Sequence, residues 1–171
     1  LFRSDYSPRT FSSVCLSLGK LGYTCLTDVN RLVNFIKSFD RLQLLDSQGV
    51  SHVAMGMHLM NVTDTEFWNA LGEQALRPSR LRCFTEKGLA MLVYAFSNHP
   101  SHPSIWNVIS EEILKKRTLG LFTDESLMTV LMGIRHQPAA TKSLVKATLE
   151  EIARPERLKS FSEMNLTGAF V

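Results

Sequence analysis

The sequence predicts an all-helical protein, an α-solenoid of tandem helical hairpins. Three observations lead there. A phrase opening on an aromatic or leucine residue recurs at an almost constant interval. Its apolar positions fall three and four residues apart, as on one face of a helix, and no stretch shows the two-residue alternation of a half-buried strand. The phrase is plainest in "FTEKGLAMLVYAF" from Phe84 and "FTDESLMTVLMGI" from Phe122. Further copies begin at Tyr6, Leu45 and Phe161, so the intervals are 39, 39, 38 and 39 residues.

The first helix of each unit follows from its apolar register. Five residues after each start stand Phe11, Val50, Leu89, Leu127 and Leu166; three further on stand Val14, Val53, Leu92, Val130 and Ala169. Leu18, Met57, Phe96 and Ile134 continue the same face. Just before that last position comes a small residue, Ser17, Gly56, Ala95 or Gly133, which lets a neighbouring helix approach closely. Thr85, Thr123 and Ser162 are expected caps, and Asp46, Glu86, Asp124, Glu125 and Glu163 suit the positive end of the helix dipole.

The second helix is predicted from residues aligned against the next start. Val29, Trp68, Trp106 and Val145 share one position; Leu32, Leu71 and Ile109 share another, with polar Thr148 in the fourth unit. Ile36, Ala75, Ile113 and Ile152 share a third, and leucine stands three residues before each new start at Leu42, Leu81, Leu119 and Leu158. Polar or proline-bearing stretches such as "SNHPSHPS" and "RHQPAAT" are the intervening turns. One hairpin cannot bury its apolar faces alone, so four units and a partial fifth are expected to stack. The array is expected to be a piece of a longer one, or to have its ends covered by partners.

Bulk composition narrows the function classes. Of 171 residues, 44% are hydrophobic and 20% charged, a balance suited to a packed core rather than to disorder. No apolar run approaches membrane-spanning length, so membrane insertion is not expected. Cys15, Cys25 and Cys83 form no C-x-x-C pair and argue against a disulfide framework. His99 and His102 form an H-x-x-H in a turn, too few ligands for a closed zinc site, so no metal or cofactor is expected. The recurring carboxylate pairs Glu111-Glu112 and Glu150-Glu151 read as solvated helix faces. No nucleophile–base constellation emerges, and neither catalysis nor a small-molecule substrate is expected.

The period, the Phe/Leu-acid opening and the late small residue together resemble the octotricopeptide repeats and the related heptatricopeptide and FAST-kinase-like arrays of organelles. The chain departs from them in lacking the Pro-Pro-Pro-Glu-Trp phrase. The resemblance implies a non-enzymatic, organellar, RNA-binding protein. An rRNA-binding accessory subunit of a divergent mitochondrial ribosome, or an RNA-maturation factor, is the expected role. The alternative is a protein–protein scaffold in a large organellar complex, and neighbouring proteins are expected in either case.

The candidate contacts are cations recurring at the ends of units. Arg77, Arg80 and Arg82 end one; Arg154, Arg157 and Lys159 end another; Lys115, Lys116 and Arg117 lie between, and Arg41 ends the first. In a stacked array they form a basic edge able to track a phosphate backbone. Cations also gather at helix C-termini to offset the dipole, and the sequence leaves both readings open. A base-reading row on the first helices would comprise Ser12, Ser13 and Leu16; Ser51, His52 and Met55; Ala90, Met91 and Tyr94; and Met128, Thr129 and Met132. That set is too apolar for a hydrogen-bonding code.

Overall fold

The computed structural model describes residues 7–38, 41–99, 104–115, 118–135 and 142–161, and every regular element among them is helical. Four helices occupy the first position of a unit: α1 (Pro8–Lys20), α4 (Ser47–Leu59), α7 (Glu86–Phe96) and α9 (Asp124–Ile134). Four occupy the second: α2 (Leu26–Ser38), α5 (Thr65–Ala75), α8 (Ile105–Lys115) and α10 (Lys142–Ile152). A short third segment closes each unit: α3 (Arg41–Leu44), α6 (Pro78–Leu81), a 3-10 turn (Thr118–Leu121) and α11 (Pro155–Ser160). The sequence pattern predicts only two helices per unit. The third segment starts where Arg77-Pro78 and Arg154-Pro155 place proline in a first turn, where its missing N–H costs nothing.

Local chemistry repeats with the period. Ser7, Asp46, Thr85 and Thr123 cap α1, α4, α7 and α9, each side chain accepting the backbone N–H three residues on. Past α1 and α4 the chain turns through left-handed Gly22 (φ 67°) and Asn61 (φ 56°), residue types that tolerate that region. Their successors close the same reversal, the Tyr23 N–H donating to Leu18 O and the Val62 N–H to Met57 O, both at 3.0 Å.

The first-position helices pack in series, α1 on α4, α4 on α7, and α7 on α9, through the most extensive contacts in the molecule. Small residues make that possible. A Cβ at Gly56 would sit 2.3 Å from the Cys15 carbonyl oxygen, and one at Gly133 would sit 2.8 Å from the Val93 carbonyl carbon and oxygen. Between α4 and α7, the Ser51 hydroxyl donates to Gly88 O at 3.2 Å. The apolar register inferred from the sequence is the core: Phe11, Val50, Leu89, Leu127, Val53, Leu92, Val130, Met57, Phe96 and Ile134 are all buried. Trp68 and Trp106 are buried at one position of the second helices, and Thr148 is accommodated by donating to Leu144 O at 2.7 Å. Lys37 at the end of α2 ties to the start of α5 through Asp64 (3.2 Å) and Glu66 (2.7 Å).

A methyl group added at Gly56 meets fixed backbone, so Gly56→Ala is expected to lower stability by about 1–3 kcal/mol, despite alanine's better helix propensity. Gly88→Ala meets the rotatable Ser51 hydroxyl at 3.0 Å and should cost less. Urea unfolding of both variants checks the order; a stabilised Gly56→Ala would refute the close approach.

Candidate nucleic-acid interface

The ends of the units carry a motif, Arg-Pro-x-Arg-Leu-Arg/Lys, at residues 77–82 and 154–159. Its middle arginine points inward. The Arg80 guanidinium donates to Gln43 O at 2.6 Å, reaches Leu42 O at 3.5 Å, and bonds the Gln74 side chain. Arg157 repeats the arrangement, donating to Gly120 O at 2.7 Å and Leu119 O at 3.4 Å, with Glu151 Oε1 at 3.3 Å. Each arginine thus reaches back 37 and 38 residues to the closing segment of the preceding unit. The first-position helix of the same unit joins in. Ser47 Oγ donates to Arg80 O at 2.9 Å, and Arg157 pairs with Asp124 at 3.1 Å.

The partner six residues before each arginine changes while the geometry persists. Gln74 serves Arg80 and Glu151 serves Arg157. At the equivalent place in the first unit Phe35 stands under Arg41, whose guanidinium carbon lies 4.2 Å from the ring centroid. Glu112 and Thr118 occupy the two positions in the third unit. The i, i+6 relation is present in the sequence, but neighbours on a helix surface lie three or four residues apart, so the pair does not stand out as local.

The candidate cations therefore divide. Arg80 and Arg157 are committed to internal hydrogen bonds, and Arg41 lies against Phe35. Arg77, Arg82, Arg154 and Lys159, the outer members of the two motifs, are exposed. Arg154 bridges Glu151 at 3.2 Å, and Lys115 bridges Glu111 at 3.1 Å. Lys116 and Arg117 lie outside the described residues, as do His102, Ser162 and the fifth copy beyond Phe161. The Arg80 pKa is lowered, by burial first and then by the nearby charge of Arg77, so positive charge is concentrated here.

That concentration is marked. Segments 41–46, 77–84, 115–122 and 154–161 hold ten of the 19 basic residues and two of the 16 acidic ones. The rest of the chain carries nine basic and fourteen acidic residues, so a net charge of +3 conceals a basic edge on an acidic body. Leu44 and Leu121, 64% and 69% exposed, stand beside the carbonyls that Arg80 and Arg157 cap.

The first-helix row is different. Ser12, Ser51, Ala90 and Met128 are buried between stacked helices, which removes them from any surface code. What remains outward is partly exposed Leu16, Met55, Tyr94 and Met132, with Ser13, His52 and Thr129. His99, which the sequence places near His102, pairs with His58 at 3.3 Å. No group of three or more metal-ligating side chains occurs among the described residues. Nor is any described helix long and apolar enough to cross a membrane. No protein-family model matches the chain, and no curated protein matches it.

Removing Arg157 leaves Glu151, 5% exposed, with Arg154 as its cation among the described residues, so Arg157→Ala should cost about 3–5 kcal/mol. Arg80→Ala strands only neutral partners and should cost about 1–3 kcal/mol. Glu151→Gln copies the Gln74 solution and should cost less than Arg157→Ala. Chemical denaturation of the three variants is the measurement; equal destabilisation by the two arginine substitutions would contradict these roles.

Proposed function

We propose that the chain is an α-solenoid of 38–39-residue units that binds RNA along its basic edge, without catalytic activity. The observation that carries this reading is the charge division. Ten cations and two acids fall in residues 41–46, 77–84, 115–122 and 154–161, and in both Arg-Pro-x-Arg-Leu-Arg/Lys motifs the middle arginine faces inward while the flanking pair faces solvent. Cations repeated at unit spacing suit a regularly charged polymer better than a single anionic group. The apolar, partly buried first-helix row favours backbone and shape contacts over base reading. The resemblance to octotricopeptide-like arrays is the ground for an organellar, mitochondrial setting. It is also the ground for a role beside rRNA or in transcript maturation, among neighbouring proteins of a large complex.

A protein scaffold is the second reading, favoured by Leu16, Met55, Tyr94 and Met132 along the first helices and by exposed Leu44 and Leu121. The two readings separate in one experiment. Arg77, Arg82, Arg154 and Lys159 changed together to glutamine should leave the helical circular dichroism spectrum at 25 °C as in wild type. The same variant should weaken binding to single-stranded RNA and flatten its salt dependence, by roughly 0.7 in the log–log slope for each phosphate no longer neutralised. Unchanged affinity and slope would transfer the edge to a protein partner.

A further inference from the structure

The pair formed by His58 and His99 has no part in the basic edge, and its surroundings are specific. His99 follows α7 in the turn, its backbone N–H donating to Phe96 O at 3.3 Å. Its imidazole lies flat on the Trp68 indole, centroids 3.8 Å apart and planes 12° apart, and the residue is 8% exposed. Trp68 is among the largest fully buried side chains and donates through Nε1 to Val62 O at 2.8 Å. His58, from the last turn of α4, sets Nδ1 3.3 Å from His99 Nε2 and its ring edge-on to Tyr94. Four elements meet here: α4, α5, α7 and the turn.

The repeat shows what this position does elsewhere. Met60 stands one unit before His99, and Val29 one unit before Trp68. Met60 and Val29 are both buried and line the same crevice. There an apolar side chain covers an apolar side chain, and nothing in the pair titrates. At the next junction the cover is an imidazole held by a second imidazole.

We propose that His58 and His99 form an acid-released latch, which closes the turn after α7 over Trp68 and opens when both rings are protonated. A neutral pair shares one N–H. A singly protonated pair keeps it, since a charged ring donates to a neutral one. Two charged rings place N–H groups against each other with no acceptor between them. Around the pair, α4 contributes His58, α5 contributes Trp68 and α7 contributes Tyr94. None is an anion at neutral pH, and among the described residues the charge acting on His99 is that of His58. Burial, then His58, pushes the His99 pKa down from 6.5 to about 4. Burial also lowers that of His58, against an opposing hydrogen bond to the Ala95 backbone. With both values depressed in the folded state, the unfolded chain holds more protons between about pH 6.5 and 4. Stability is full above that window and falls as the pH drops through it.

The test uses the full chain with Trp106→Phe, so that emission reports Trp68 alone. Acidification from pH 8 should shift emission to the red as the pH approaches 4, before helical circular dichroism declines. Adding His99→Met, the residue type found at position 60, should abolish that shift. Proton NMR titration of the unsubstituted chain reads the same rings without relying on Trp106→Phe. It should place the His99 midpoint well below that of a free histidine. An ordinary His99 midpoint, a shift that survives His99→Met, or loss of helix coincident with the shift would each overturn the latch.

Discussion

The near contact of backbones between successive first helices is the constraint from which the rest of the structure follows. With hydrogen at Gly56 and Gly133 in place of a side chain, α1 approaches α4, and α7 approaches α9, until backbone lies where a Cβ would stand. The second helices carry tryptophan, leucine and isoleucine inward and do not pack in series to the same extent. The closing segments are short, so their last carbonyls have no helical partners. Arg80 and Arg157 cap those carbonyls across the unit boundary. The ends of short closing segments thus present a need that a long, five-donor side chain meets.

The same arrangement accounts for the exchange of partners six residues upstream. The two arginines bound to paired carbonyls are completed by an amide in one unit and by carboxylates in the other, while Arg41 rests on an aromatic face. Carbonyl contacts come from backbone that recurs with the fold, so side-chain identity is free to drift around them. Asp124 in one unit and Ser47 in another perform the corresponding first-helix contact with different chemistry. Geometry repeats here more faithfully than sequence does.

That difference explains what is legible in the sequence and what is not. Helix positions and the buried face are readable, because burial imposes a period that substitution among Phe, Leu, Val and Met does not erase. The role of the small residues is readable because glycine in a helix interior needs a steric reason. The third segment is not, since four residues such as Arg41–Leu44 carry too little pattern to separate from a turn. The inward arginines are not, because a guanidinium capping carbonyls and one facing solvent look alike in a sequence; only position within Arg-Pro-x-Arg-Leu-Arg/Lys distinguishes them. The His58–His99 contact joins residues 41 apart in different units, beyond any local spacing rule.

Charge on the closing edge therefore has two origins, and separating them changes how its ligand is understood. The inward arginines would stand there whatever the protein bound, since they satisfy carbonyls that packing leaves open. They raise the positive potential of the edge even while their donors are occupied, because capping neutral carbonyls consumes donors and not charge. In the motif at residues 77–82 the side chain bonded to the inner arginine is the neutral amide of Gln74, which leaves the guanidinium charge in place. In the other motif, the carboxylates of Glu151 and Asp124 both pair with Arg157 and neutralise it. The two motifs are thus electrostatically unequal despite equal geometry. Positive potential is therefore stronger around Arg77, Arg80 and Arg82 than around Arg154 and Lys159. Charge at the two motifs is accordingly unequal, although the arginine–carbonyl geometry recurs.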